Sequence, residues 1–158
     1  MAKARPIRGL APDTRFRDAA AAAVSVRASE VFGFADAALD LSDIEGVHDM
    51  RVATRRLRAA LEVFAVCFPA KEHAAALAEV TALADRLGER RDPDVAIEEL
   101  EALAAGFDAA DRPGVADLVE ELRGEQAVAN ETVARSLAEV RQSGLEQRLQ
   151  ELAEAARS

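Results

Sequence analysis

Between Val47 and Arg58 the chain gathers one histidine and four arginines: His48, Arg51, Arg55, Arg56 and Arg58. On a helix, which turns about 100° per residue, Arg55, Arg51 and Arg58 fall at roughly 340°, 300° and 280° from His48. One face therefore carries an imidazole and three guanidinium groups over about three turns. Guanidinium forks donate paired hydrogen bonds to phosphate oxygens, keep their charge at any relevant pH and are weakly hydrated. Repetition along a helix face suits a repeating anion better than a single small one. Arg56 stands apart at roughly 80°, on the border of the opposite, apolar stripe. The competing reading is a solvated charged face knitted by i,i+4 pairs such as Arg58–Glu62. Few acidic residues lie near the ridge, so it is expected to be incompletely self-neutralised.

A second cationic pair, Arg90-Arg91, precedes Asp92-Pro93-Asp94. An N-cap aspartate followed by proline signals a helix start, where unpaired amides and the positive end of the dipole favour anions. Asp92 competes for those amides, which makes the two arginines the better anion ligands. Pairing of the arginines with Asp92 or Asp94 accounts for them equally well. His48 by itself fits a structural histidine at a helix start as well as a ligand contact. No second histidine stands at i+4 from it, and His73, beside Glu72 on another helix, reads as an exposed surface residue, so no metal site is expected. A glycine-rich phosphate loop, a nucleophile with a matching base and a metal-spaced carboxylate cluster are all missing. The chain is expected not to be an enzyme and to use no cofactor.

The elements that must position these groups are helical. Half of the 158 residues are hydrophobic, Ala, Leu, Glu and Arg dominate, and Trp and Tyr are absent, a vocabulary for helices rather than strands. Residues 1–12, with Lys3, Arg5 and Arg8, read as a flexible basic arm, and residues 13–158 as a single domain. Asp13 can cap a first helix running to about Leu39, with Gly33 permitting a close crossing. Ser42-Asp43-Ile44-Glu45 has the form of a capping box. The second helix then runs from about Asp43 to Phe68, burying Met50, Leu57, Leu61, Phe64 and Phe68, and stops before Pro69. A third spans Ala70 to Leu87 with Gly88 as its C-terminal cap, and a fourth spans Asp92 to about Ala105. A linker over residues 106–113 leads to a long fifth helix, from Gly114 to Arg141. Ser143-Gly144 separates that from a short sixth helix ending near Ala156. Six helices with short connections and no strand predict an all-α antiparallel bundle.

Composition narrows the partners. The lone Cys67 excludes an internal disulfide, fits a small buried hydrophobe and suits a reducing cytoplasm. No run of eighteen apolar residues exists, so neither a membrane span nor a secretory signal is expected. The net charge of −9 argues against a general nucleic-acid coat. Residues 95–158 contribute −8 of it, leaving the arginines of the first part as a local basic feature on an acidic body.

The run Val47-His48-Asp49-Met50-Arg51-Val52-Ala53-Thr54-Arg55-Arg56-Leu57-Arg58, followed by Leu61 and Phe64, closely resembles the signature of CHAD domains, the conserved-histidine α-helical domains. Leu87-Gly88-Glu89-Arg90-Arg91-Asp92-Pro93-Asp94-Val95 resembles the family's Leu-Gly-x-x-Arg-Asp-x-Asp-Val segment. The resemblance implies an all-helical fold whose basic residues line a groove or pore that binds inorganic polyphosphate. Some members sit on polyphosphate granules, and others are fused to triphosphate-handling domains. Carried over by motif, the basic site comprises His48, Arg51, Arg55, Arg56, Arg58 and Arg91. Typical members have two related helical halves, the second with its own basic helix, and the match here covers one. Two copies pairing with twofold symmetry, each supplying its ridge, is the corresponding expectation. The expected function is non-catalytic polyphosphate binding in the cytoplasm or on granules. The alternatives are an accessory subunit of a triphosphate- or polyphosphate-handling enzyme and a helical module that docks an acidic protein.

Overall fold

The computed structural model describes residues 3–158 and contains five α-helices, with no strand among the described residues. These are α1 (Phe16–Gly33), α2 (Ile44–Val63), α3 (Ala70–Ala104), α4 (Arg112–Gln142) and α5 (Leu145–Arg157). The all-α expectation holds, with one helix fewer than six. Among the described residues, no helix is long and apolar enough to cross a membrane.

Alanines set the spacing at the centre. Ala20, Ala21, Ala23 and Ala28 of α1 are buried, which lets this helix lie close against both α2 and α5. It ends at Gly33, short of the expected Leu39, and a 3-10 turn at Ala37–Leu39 carries the chain to the next corner. The expected basic arm is tied down where it meets α1, while its residues 1 and 2 lie outside the described residues. The Arg5 amide donates to the Glu30 carboxylate, and Arg27 Nη1 donates to the Arg5 carbonyl at 3.1 Å. Arg27 Nη1 also donates to Glu30 Oε2 at 2.5 Å, so Glu30, 2% exposed, has its charge matched inside.

At the start of α2 the cap is Asp43, whose carboxylate accepts from the Glu45 amide at 3.0 Å. Ser42, expected to form the capping box, instead donates its hydroxyl and amide to Asp40 at 2.6 and 2.8 Å. Those two donors hold the Asp40 carboxyl below its usual range. Its ionised form therefore supports this turn above the ordinary carboxylate pKa, and the support is lost as acid protonates it. Gly46 makes the close approach that was expected at Gly33: a Cβ at Gly46 would lie 2.1 Å from the Ala37 carbonyl oxygen, whereas at Gly33 it would meet only an arginine tip.

Of the expected stripe, Met50, Leu57 and Leu61 are fully buried and Phe68 is buried, while Phe64, just past the end of α2, is half-buried. The helix stops five residues before the expected Phe68, and a 3-10 turn at Ala65–Cys67 follows. Phe68 is extended ahead of Pro69. His73 is not the exposed residue expected: half-buried, it stacks on Phe68 and its Nε2 sits 2.9 Å from the Leu61 carbonyl, closing the end of α2.

The largest departure is α3. Gly88 and Asp92-Pro93 read as a stop and a start, yet one helix of 35 residues runs through both. Gly88 lacks the positive φ of a C-terminal cap, and Pro93 is buried inside the helix. An internal proline removes one backbone hydrogen bond and costs about 3 kcal/mol. Side-chain bonds on either side of it, described below, offset that loss. α4 returns antiparallel along α3, and Gly144, with φ +66°, makes the left-handed break into α5. Arg148 donates to both oxygens of Glu79 at 2.8 Å, fastening α5 to α3. Cys67 is buried beside the core residues of α2.

A methyl group at Gly46 has backbone, not a movable side chain, in its way. Gly46→Ala is expected to lower unfolding stability by about 1–3 kcal/mol or more, read as a fall in the urea midpoint at unchanged slope. An unchanged midpoint would contradict this packing.

Candidate functional site

Three of the seven candidate cations converge. Arg51, Arg55 and Arg58 of α2 line one wall of an open groove of about 430 Å³, whose other wall is α3. Their placement follows from the sequence: positions 51, 55 and 58 are one turn apart, and the buried stripe of Met50, Leu57 and Leu61 turns the opposite face inward. Arg51 and Arg55 are exposed and form no ion pair or hydrogen bond to another described residue, while Arg58 Nε lies 3.5 Å from Glu62. An exposed i,i+4 pair of this kind is worth only about 0.3–0.5 kcal/mol, so Arg58 stays exchangeable toward a stronger anion.

The floor of the groove is low because α3 presents Ala84 and Gly88 there, and a Cβ at Gly88 would meet nothing within 4 Å. The far wall carries Asp85, Glu89 and Asp92. Sequence reading missed this acidic wall and expected little charge near the ridge. The signal was present: 85, 89 and 92 fall at i, i+4 and i+7 on one helix face. Breaking the helix at Gly88 assigned them to separate elements and hid the periodicity.

The remaining candidates lie elsewhere. His48 is half-buried one turn before Arg51 and does not line the groove. Arg56 is half-buried, already engaged, and does not line the groove. Arg91, 13% exposed, reaches the Ile44 carbonyl at 3.4 Å and lies 3.9 Å from Asp94, bracing α3 against the start of α2.

Arg90 requires a correction. Expected as an anion ligand, it has no exposed surface at all. Its Nη1 donates to Asp94 Oδ1 and its Nε to Asn130 Oδ1 at 3.1 Å. Gln126 Nε2 donates to the same Asp94 oxygen at 2.5 Å, and Asn130 Nδ2 donates to the Leu39 carbonyl at 3.2 Å. These bonds join α3, α4 and the turn before α2 around Pro93. Because α3 is continuous, position 90 faces α4 instead of standing in a helix-mouth loop.

Two cavities elsewhere are somewhat larger. One, about 540 Å³, lies between α1 and the α4–α5 corner near Phe32, Arg141 and Gln150, and the other, about 520 Å³, lies between α3 and α5. Neither aligns three like charges on one wall. Among the described residues, no group of three or more His, Cys, Asp or Glu side chains is placed to hold a metal ion.

The chain belongs to the CHAD domain family, whose pattern it matches over residues 14–158. That family is associated in general with binding polyphosphate and triphosphate. A comparison with curated proteins gives no match.

Burial separates the structural arginine from the groove arginines. Arg90→Ala leaves Asp94 charged, buried and short of its main partner, and is expected to cost about 3–5 kcal/mol. Arg51→Ala and Arg55→Ala should stay within about 0.5 kcal/mol of wild type. Thermal and urea unfolding of the three variants would show it, and equal losses at all three positions would contradict the assignment.

Proposed function

We propose that this protein binds inorganic polyphosphate, without turning it over, along the arginine wall of the groove between α2 and α3. The observation that carries the reading is the alignment of Arg51, Arg55 and Arg58 on one wall, with Arg51 and Arg55 unpaired among the described residues. Linear phosphate chains repeat a charge every few ångströms. A row of guanidinium groups one helical turn apart meets such a chain several times, each time with charge-assisted hydrogen bonds. Family membership supports the same ligand class. The acidic remainder of the surface disfavours broad contacts with long, thick polyanions such as duplex nucleic acid. His48, Arg56 and Arg91 do not line the groove, and Arg90, fully buried, takes no part in contact.

A second copy of the chain, paired by a twofold axis, would add a second ridge and lengthen the track available to the polymer. The stoichiometry of binding, read beside light scattering, distinguishes such a pair from a monomer.

Titration with polyphosphate of defined length tests the reading. Replacing Arg51, Arg55 and Arg58 together by alanine should weaken binding by about a hundredfold while helicity is kept. For wild type, the logarithm of affinity should fall against the logarithm of salt with a slope of about −2, which the triple variant loses. Equal affinity of the two proteins would overturn the assignment.

A further inference from the structure

The groove has two walls of opposite charge, and no ion pair among the described residues joins one to the other. Arg86 Nη1 donates to both oxygens of Glu89 at 3.0 Å, which partly neutralises the middle of the acidic wall. Asp85 and Asp92, both exposed, have no hydrogen bond or ion pair with another described residue, and no ion pair crosses the groove to Arg51 or Arg55. Three guanidinium groups thus face three carboxylates with no ion pair across the groove, Arg58 lying beside Glu62 and Glu89 bonded by Arg86. The groove is near neutral as a whole, although each wall taken alone is strongly charged.

That layout does not suit a bare polyanion. A phosphate chain gains hydrogen bonds from the α2 wall, but its outward oxygens meet like charge from α3. A cleft focuses such a field more strongly than an open surface does. A chain carrying divalent cations is different, because it offers anionic oxygens on one side and positive charge on the other. Mg²⁺ in particular keeps several of its waters and is commonly held by one or two carboxylates together with phosphate oxygens. Two separated aspartates match that requirement through the hydration shell, with no protein cage around the ion.

Building on the phosphate-binding reading above, we propose that Asp85 and Asp92 are specificity-determining residues of the groove. They make it select a phosphate chain in its divalent-cation complex over the same chain bare. α2 supplies the affinity for phosphate, and α3 discriminates by the charge state of the ligand.

The test is calorimetric titration of the full chain with polyphosphate of defined length, in EDTA and in Mg²⁺ at matched ionic strength. The wild-type protein should bind about threefold to tenfold more tightly with Mg²⁺, the range set by two exposed charge contacts. Asp85→Asn combined with Asp92→Asn should bind the bare chain more tightly than wild type does and gain nothing from Mg²⁺. Both sites are exposed, and circular dichroism checks that the variant keeps its helices. If Mg²⁺ leaves wild-type binding unchanged or weakens it, the selectivity proposal is overturned while the phosphate site stands. Binding in neither buffer would overturn both.

Discussion

A guanidinium with no access to water needs partners in place, and Arg90 finds them at Nη1 and Nε, while its Nη2 has none among the described residues. Its bonds to Asp94 and Asn130, extended by Gln126 and the Leu39 carbonyl, fix α3 against α4 and both against the turn that leads into α2. Hydrophobic packing alone tolerates sliding of one helix on another more readily than a directional polar network does. Because α3 is fixed in rotation, the face carrying Asp85, Glu89 and Asp92 must look toward α2. The groove is a consequence of a charge buried on the opposite side of the same helix.

The same network explains why a helix persists through Pro93. The lost backbone bond lies among side chains that bond across the helices around it, and the ring itself is buried. Local sequence cannot weigh that. Gly88 and Asp92-Pro93 carry the stop and start signals of two helices, and only the partners on α4, more than thirty residues away, overrule them. The fate of Arg90 follows from this one error. In a loop it would be a free cation, but in a continuous helix it points inward.

Other parts were readable because their causes are local. The ridge and its buried stripe share one helix and one period, so Arg51, Arg55 and Arg58 and the stripe of Met50, Leu57 and Leu61 separate by angle alone. The break at Ser143-Gly144 needs only the left-handed conformation that glycine supplies. The end of α2 was not readable: His73 closes it from the next helix, across twelve residues. Gly46 likewise looks ordinary until Ala37 is seen against it. Contacts between elements decide these positions, and no spacing within one element encodes them.

The account rests on the division between arginines that face the groove and the one that holds the frame. Side-chain NMR of the arginine Nε–H groups, followed during addition of polyphosphate, reads that division directly. The Arg51, Arg55 and Arg58 signals should shift together and saturate at one affinity, while the Arg90 signal stays in place. Movement of Arg90 with the ligand, or no response from Arg51 and Arg55, would contradict it.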